Sequence, residues 1–317
     1  MMLTLLALLL AGAAAAQTLP EAPGTLVDIG GGRRLHLLCS GQGTPTIILE
    51  AGASAFAIDW TLVQREIAKS NRVCSYDRAG MGWSDPLPAH ALATDAPDLH
   101  ALLAAAKEAA PYVLVGASRG GLLIRGYLAE YPGDVAGLVF VDPASEDRLF
   151  GMVARKRMLI AEMTADQMRS TLPFYPVRNP RRPPQKGAPF DRLSPELYQQ
   201  RVLLDERVIA SMPEALTPEQ IGQYQEAERA FLARLLATRS AGTPLGDRPT
   251  VVLSRGDERH EDREQVHAAL ARLSSNSRHS VIAGAGHEIH LFQPEAVILA
   301  VTDVLEAIAR KSPLPPR

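Results

Sequence analysis

The sequence predicts an α/β fold, in which helices cover both faces of a mostly parallel sheet. Eight short apolar runs rich in Val, Ile and Leu recur along the chain, and amphipathic helical patterns separate most of them. Strands that alternate with helices build a parallel sheet. The runs are apolar throughout instead of alternating with polar residues, as expected for strands that are buried on both sides.

The strand-like runs define the order of elements along the chain. They read TLVDI, RLHLLC, TIILEA, RVCSYD, YVLVGA, GLVFVD, TVVLSR and HSVIAG, and they begin at residues 25, 34, 46, 72, 112, 137, 250 and 279. Helical patterns lie between most of them, such as DWTLVQREIAKS after the third run and PEAVILAVTDVLEAIAR after the last.

The alternation breaks once, between about residues 147 and 247, where helical patches replace the strands. We therefore predict a two-part core, residues 17–146 and 248–311, with a helical cap at 147–247 inserted over the carboxyl ends of the strands. A proline- and arginine-rich stretch in the cap, 176–190, is interpreted as a solvated loop in preference to an anion site. The last residues, 312–317, are predicted to be disordered.

The amino terminus predicts export. Its apolar core, from Leu3 to about Leu10, is far shorter than the ~20 residues that a membrane-spanning helix needs. The alanines before Gln17 supply an A-x-A cleavage site, so residues 1–16 are interpreted as a cleavable signal peptide. We expect a periplasmic or secreted protein without stable membrane insertion; a structural helix or a retained anchor is the alternative. The formal net charge of −2, without a long run of one sign, does not indicate a nucleic-acid partner.

Ser118 is the strongest candidate for a nucleophile. The stretch VLVGASRGGL, 113–122, leads from an apolar strand through G-x-S-x-G into a helical pattern. This is the context of a nucleophile elbow, in which glycines let the backbone turn sharply and raise the serine above the sheet. The start of the following helix favours negative charge near the hydroxyl. The alternative is a glycine-rich turn with an idle serine.

A serine hydroxyl needs a base to take its proton, and His287 is the best placed of the eight histidines. It follows the last strand-like run on a loop of small residues, from which an imidazole reaches across to Ser118. His290 lies three residues further on. A metal site built on this pair is disfavoured because no third ligand is evident, and we expect neither a metal nor an organic cofactor.

In four places, in order, the chain resembles the α/β-hydrolase superfamily: EAGAS at 50–54, YDRAGMGWSD at 76–85, GASRGG at 116–121 and GAGHEIHLFQPE at 284–295. The resemblance covers nearly everything after the predicted signal peptide, and it is strongest to capped members of the proline-iminopeptidase type. It implies an eight-stranded sheet with the cap inserted after the sixth strand. The second motif is interpreted as a structural turn beneath the pocket rather than as a catalytic element.

The resemblance also bears on the two cysteines. It implies that Cys39 and Cys74 lie side by side on the second and fourth strands, which favours a disulfide between them over two buried free thiols. Neither cysteine belongs to a metal-binding C-x-x-C pair, and a disulfide persists only in an oxidising compartment.

By the same resemblance, the backbone N–H groups of Ala53 and Arg119 form an oxyanion hole. Relatives carry His-Gly where this chain has Ala51 and Gly52, a departure that leaves backbone donors intact. The arginine after the nucleophile is a second departure, because relatives often have a bulky apolar residue there. We expect its side chain either to hold an acidic substrate or to pair with a carboxylate, for which the candidates are Asp142, Glu50 and Asp77.

The histidine needs a carboxylate to fix its tautomer and stabilise the imidazolium. Relatives place that acid either after the seventh strand or at the end of the sixth. After the seventh strand, the usual G-x-x-D spacing falls on Arg259, which leaves the nearby Asp257 as a candidate. At the end of the sixth strand, Asp142 is the candidate that we favour, and Pro143 after it is typical of a strand that leaves the sheet.

These residues predict a serine hydrolase, most simply a carboxylic-ester hydrolase that forms an acyl-enzyme on Ser118 and acts on small molecules. An aminopeptidase of the proline-iminopeptidase type is one alternative. It needs acids in the cap to receive a substrate amine, and the candidates are Glu162, Glu196 and Glu206. A hydrolase-fold protein that binds a small ligand without turnover is the other alternative.

Overall fold

A computed structural model describes residues 19–87, 95–147, 149–154, 156–164, 166–168, 186–212, 216–239, 242–257 and 261–315. The predicted signal peptide and most of the proline- and arginine-rich stretch lie outside these ranges. Within them, no helix combines the length and the apolar character needed to cross a membrane.

Eight strands form one mostly parallel sheet, as the sequence predicts. In chain order, the described strands are β1 Thr25–Asp28, β2 Arg34–Ser40, β3 Thr46–Glu50, β4 Val73–Tyr76, β5 Tyr112–Ala117, β6 Val135–Val141, β7 Phe150–Val153, β8 Lys156–Leu159, β9 Thr250–Gly256 and β10 Ser277–Ala283. β7 and β8 pair with each other outside the large sheet. The order in the large sheet is β1-β2-β4-β3-β5-β6-β9-β10. β2 is antiparallel to both of its neighbours, and the remaining pairs are parallel. Every residue of β3 is buried, as expected for a strand covered on both faces.

Helices cover the two faces of this sheet. The principal helices are α1 Thr61–Ile67, α2 Asp95–Ala105, α3 Arg119–Glu130, α4 Pro195–Ser211, α5 Pro218–Arg239, α6 Glu261–Ala271, α7 Ile289–Phe292 and α8 Pro294–Arg310. Side chains of α2, α3 and α6 pack on one face in a cluster that includes Leu102, Tyr127 and Leu270. Side chains of α1 and α8 pack on the other face, among them Val63 and Val301.

The sequence of α8 explains how it comes to lie on the sheet. Pro294 stands in its first turn, where a missing N–H costs nothing, and the helix ends before Lys311, whose backbone is left-handed. Its buried residues recur every three or four positions, from Val297 to Val301 and Val304, so that one face meets the strands.

The cap contains a β-hairpin that the sequence prediction missed. The expectation of helical patches alone between 147 and 247 is wrong at β7 and β8, which pair antiparallel with Phe150 opposite Leu159. The chain leaves β7 through Ala154 at φ 49°. Turns of this kind are usually marked by Gly or Asn, so the sequence carries no turn signal at this point. The long elements of the described cap, α4 and α5, are helical as predicted.

A disulfide joins β2 to β4, as the resemblance implies. Cys39 and Cys74 are directly opposite each other in the antiparallel pair, and they are bonded. At the other edge of the sheet, the chain beyond α8 contacts the start of β10. The Leu314 N–H donates to Asn276 Oδ1 at 2.8 Å, so the tail predicted to be disordered is held by the core at least as far as this residue.

Candidate active site

Ser118, Asp142 and His287 all lie at the carboxyl edge of the sheet. Ser118 directly follows β5, Asp142 directly follows β6, and His287 stands on the loop after β10. These three strands run parallel, so their carboxyl ends meet at the same edge. Ligand sites in open α/β sheets are found at this edge.

The turn at Ser118 has the geometry of a nucleophile elbow. Ser118 has φ 52° and ψ −121°, and α3 begins at the next residue. Cβ atoms on the flanking glycines would collide with backbone: at Gly116 with Gly120 O at 2.5 Å, and at Gly120 with Glu50 O at 2.4 Å. Only glycine fits at both positions, which explains the G-x-S-x-G spacing.

Backbone hydrogen bonds connect this elbow to the Asp142 turn. The Ser118 N–H donates to Val141 O at 3.0 Å, and the Ala144 N–H donates to Ser118 O at 2.8 Å. The Asp142 N–H in turn donates to Leu253 O of β9 at 2.8 Å. The serine and the aspartate are therefore fixed relative to each other by main-chain contacts.

The structure brings Asp142, the favoured acid, onto His287. His287 Nδ1 is 2.6 Å from Asp142 Oδ2, and the Arg255 N–H donates to the other carboxylate oxygen at 3.1 Å. Burial raises the pKa of Asp142, but the hydrogen bonds from His287 and Arg255 outweigh it and hold that pKa below its usual value. The alternative acid, Asp257, has a side chain that is 37% exposed, with Oδ1 3.6 Å from Arg255 Nε.

The remaining link of a triad, between the serine and the histidine, is not formed as a hydrogen bond among the described residues. The described residues include no hydrogen bond between the Ser118 hydroxyl and the His287 ring, and the His287 side chain is 39% exposed. Catalytic hydrogen bonds are often long in the absence of substrate. The arrangement is therefore an acid–histidine pair already formed, with the serine at the same edge of the sheet.

His290 faces away from this pair, into the core. Its ring centroid is 4.5 Å from that of Trp60, and it is almost completely buried. Burial lowers the pKa of His290 to about 3, and the nearby His287 and Arg201 add to the shift. The ring is therefore neutral and packs as an aromatic group.

The loop that carries Ala53 passes directly against the nucleophile. A Cβ placed on Gly52 would be 3.4 Å from Ser118 Cβ. The Arg119 N–H belongs to the first turn of α3, where N–H groups lack partners within the helix. The loop that carries Ala53 thus adjoins Ser118 in space, and Arg119 adjoins it in sequence.

The YDRAGMGWSD segment forms the structural turn that the sequence predicts. Asp77 is buried, and its carboxylate accepts the N–H groups of Ala57 at 2.8 Å and of Trp83 at 3.1 Å. A Cβ on Gly82 would lie 2.1 Å from the Asp77 carboxyl carbon, so only glycine fits. The sequence interpretation gave no role to the neighbouring Arg78, which donates hydrogen bonds to the loop that carries Ala53. Its charge inside a glycine-rich turn is the sequence signal that marks it.

Arg119 pairs with the cap. Its guanidinium forms two 2.8 Å hydrogen bonds with the carboxylate of Glu228 on α5. The expected ion pair with a carboxylate forms, but none of the suggested partners, Asp142, Glu50 and Asp77, supplies it, because α5 brings Glu228 over the elbow. A second ion pair ties α4 to the core: Arg201 Nε is 2.9 Å from Asp59 Oδ1, and both side chains are fully buried.

The fold and the site together define a class of protein: a central parallel sheet with a serine elbow and an acid–histidine pair at its carboxyl edge. A family model described as the alpha/beta hydrolase fold matches residues 45–294. This match covers most of the chain, and the protein belongs to that family.

Individual relatives are more distant. A protein of Hormonema carpetanum described as a probable transporter, efuK, is 36% identical over 130 residues, which are 38% of this chain and only 18% of that relative. The uncharacterised protein YqjL of Bacillus subtilis (strain 168) is 23% identical over 270 residues, 83% of this chain and 85% of its own. Among solved structures, a thermophilic esterase from Thermogutta terrifontis has a TM-score of 0.60 at 22% identity, over 89% of this chain and 97% of that one. At this identity, the likeness supports the fold alone.

Proposed function

We propose that the protein is a serine hydrolase that cleaves carboxylic esters of small molecules through an acyl-enzyme on Ser118. The observation that carries this proposal is the 2.6 Å hydrogen bond between Asp142 and His287, at the sheet edge where the Ser118 elbow lies. An imidazole that donates its Nδ1–H to a carboxylate keeps Nε2 free to accept a proton. The fold shared with the T. terrifontis esterase adds support.

In the proposed reaction, Ser118 Oγ attacks the ester carbonyl carbon while His287 Nε2 takes the hydroxyl proton. The carbonyl oxygen becomes an oxyanion, which accepts hydrogen bonds from the Ala53 and Arg119 N–H groups. Collapse of this intermediate breaks the bond to the alkoxide, which leaves as an alcohol with the proton from His287. Asp142 holds the ring and stabilises its positive charge.

The second half of the reaction restores the enzyme. A water molecule gives a proton to His287 and attacks the ester on Ser118. The oxyanion forms again in the same place, and its collapse returns the proton to Ser118 and releases the carboxylic acid. The proposed steps use only side chains, backbone N–H groups and water, so the reaction requires no metal or organic cofactor.

The test labels the nucleophile and compares the two candidate acids. An alkyl fluorophosphonate should react with the wild type and not with Ser118→Ala. Asp142→Asn should lower kcat for p-nitrophenyl acetate about 10⁴-fold, because an amide favours the wrong imidazole tautomer. Asp257→Asn is the matched control and should keep kcat near the wild-type value.

Two outcomes would contradict parts of this proposal. A folded wild type that neither reacts with the probe nor hydrolyses esters would remove the serine-hydrolase mechanism. Such a protein, if thermally stabilised by a small ligand, would instead fit the non-catalytic alternative. If kcat falls as much in Asp257→Asn as expected for Asp142→Asn, the acid of the triad is Asp257, which follows β9.

The aminopeptidase alternative receives less support from the cap. The acids suggested to receive a substrate amine are all exposed to solvent: Glu162, Glu196 and Glu206. Glu228, which does approach the nucleophile's neighbour, is paired with Arg119. A panel of aryl esters and amino-acyl anilides separates the two functions, and faster turnover of a prolyl anilide would favour the peptidase.

We also propose that the protein is exported. The apolar amino terminus supports this, and so does the Cys39–Cys74 disulfide, because such bonds persist in oxidising compartments. The mature protein, recovered from the periplasm or the medium, should begin at Gln17. A full-length chain found only in the cytoplasm would contradict export.

A further inference from the structure

The side chains of the oxyanion loop are small, and the Ser54 hydroxyl is the one polar group among them. The loop reads AGASA over residues 51–55. A donor that stabilises developing charge must nevertheless be fixed before the reaction begins, because its reorientation would otherwise cost free energy during the step. Within the loop, the Ala55 N–H donates to Gly52 O at 3.3 Å. From outside the loop, Arg78, just beyond the carboxyl end of β4, lies against the same carbonyl group.

The Arg78 guanidinium binds two successive carbonyl groups of this loop. Nη1 donates to Ala51 O at 2.7 Å, and Nη2 donates to Gly52 O at 2.6 Å. Nη1 also donates to Glu50 Oε1 at 2.5 Å, and the Arg78 side chain is only 10% exposed. A guanidinium presents its donors as a rigid planar fork, which an ammonium group does not.

These two contacts fix the direction of the predicted oxyanion donor. In a trans peptide, the carbonyl of one residue and the N–H of the next point in opposite directions, and the bond between Gly52 and Ala53 is trans. Because Gly52 O turns toward Arg78, the Ala53 N–H turns away from it. The same contacts hold the carbonyl oxygens, which would repel an oxyanion, on the Arg78 side of the loop.

The charge of Arg78 is retained by its buried partner. Glu50 accepts hydrogen bonds from Arg78 and from the Tyr76 hydroxyl. Burial lowers the pKa of Arg78, but Glu50 and other neighbouring groups outweigh this and hold it above its usual value. A cation at the carbonyl ends of two peptide groups also polarises them, which strengthens the positive ends at their N–H groups.

We propose that Arg78 is a positioning residue for the oxyanion hole, holding the peptide between Gly52 and Ala53 so that the Ala53 N–H faces the charge that develops on the substrate. The inference rests on the proposed function, because this orientation matters only if Ser118 generates an oxyanion.

The experiment compares Arg78→Gln and Arg78→Lys with a matched control. Arg72 is that control, because it stands at the opposite end of β4 and also joins a glutamate, Glu108, to a loop carbonyl, Gly41 O. The measurements are kcat and KM for p-nitrophenyl acetate, the inhibition constant of an aryl trifluoromethyl ketone, and the thermal midpoint. The ketone forms a tetrahedral oxyanion adduct with a serine, so its affinity reports on the oxyanion hole itself.

Arg78→Gln should lower kcat about 10²-fold, which is the usual effect of losing one oxyanion donor, with KM nearly unchanged. The affinity of the ketone should fall by a similar factor. Arg78→Lys should lie between this variant and the wild type, because it keeps the charge and loses the fork. Arg72→Gln should lower only the thermal midpoint.

A folded Arg78→Gln protein with wild-type kcat and ketone affinity would overturn the inference. So would a raised KM with unchanged kcat, because that pattern assigns Arg78 to substrate binding. If Arg78→Gln does not fold, the same two readouts on Arg78→Lys decide the question. If the protein is not a serine hydrolase, the wild type itself fails to react with the fluorophosphonate, a result that is distinct from those above. That result would also remove the basis of this inference.

Discussion

At Ser118 the backbone has φ 52° and ψ −121°, a conformation that glycine adopts freely and that residues with a Cβ avoid. Hydrogen bonds on either side hold it there, since Ser118 O accepts the N–H groups of Gly121 and Ala144. The strained backbone therefore belongs to the residue that we propose as the nucleophile. Activity and stability therefore make opposite demands on this position.

We predict that Ser118→Gly abolishes esterase activity and stabilises the fold by about 1 kcal/mol. The substitution relieves about 1–3 kcal/mol of backbone strain and loses about 0.5–1 kcal/mol to the freedom of glycine in the unfolded chain. Ser118→Ala is the control, because it is equally inactive but keeps the Cβ and the strain. Urea denaturation measures the difference, and equal stability of the two variants would argue against strain at the elbow.

At the residue scale, the sequence predicts the candidate site residues that stand in turns rich in glycine and other small residues. Ser118 and His287 can be named because each follows a strand on a loop of small residues. The sequence does not decide between Asp142 and Asp257, because the choice depends on how two separate loops fold around the histidine. The partner of Arg119 is also not predictable from the sequence, because Glu228 is 109 residues away on a cap helix. No local sequence pattern indicates how that helix packs on the core.

The short helix α7 places His290 against the 3₁₀ helix Ala57–Trp60. There it is 4% exposed and packs on the Trp60 ring. The pKa of His290, about 3 in the folded protein, is lowered from an ordinary value of 6.5. The unfolded chain therefore binds a proton that the folded chain does not, and stability is lost as the pH falls below about 6.5.

We predict that His290→Phe removes part of this sensitivity to acid while keeping the aromatic contact. Between pH 8 and pH 5, the free energy of unfolding of the wild type should fall by up to about 2 kcal/mol more than that of the variant. Urea denaturation at the two pH values measures this difference. Parallel losses in the two proteins would mean that His290 takes up its proton in the folded state.

At the scale of elements, continuous apolar runs predict strands well and a short hairpin poorly. The inner strands β3, β4, β5, β6 and β9 follow from their sequences because both faces are almost completely buried, so nearly every position selects for apolar residues. The β7–β8 hairpin is not predicted because Ala154, and not a glycine, takes the left-handed backbone conformation at its turn. The Cys39–Cys74 pairing depends on sheet order, since β3 lies between the two strands in the chain but not in the sheet.

At the scale of the whole molecule, one buried carboxylate, that of Glu146, contacts arginines near both of the chain connections between core and cap. Glu146, at the end of the first core segment, forms hydrogen bonds of 2.6 and 2.9 Å with Arg125 of α3. Arg239, at the end of α5, is 3.4 Å from the same carboxylate. Burial raises the pKa of Glu146, but the two arginines outweigh it and hold that pKa below its usual value.

We predict that Glu146→Gln destabilises the protein by about 3–5 kcal/mol at pH 7, because Arg125 is left buried without its counter-charge. The pKa of Glu146 is lowered on folding, so the wild type has this stability above about pH 4.5 and loses it as the pH falls through the folded value. Urea denaturation measures the effect. Glu66→Gln, which removes only surface pairs with Arg65 and Lys69, should leave the midpoint unchanged, and an unchanged midpoint in Glu146→Gln would contradict the prediction.

The carboxylate that meets His287 stands at the end of β6, so the mechanism that we propose assigns no chemical step to Asp257, which follows β9. The backbone at this point has another task, because the N–H groups of Gly256 and Asp257 both donate to Ala285 O at 3.1 Å. Ala285 stands two residues before His287, so the end of β9 anchors the loop that carries the histidine.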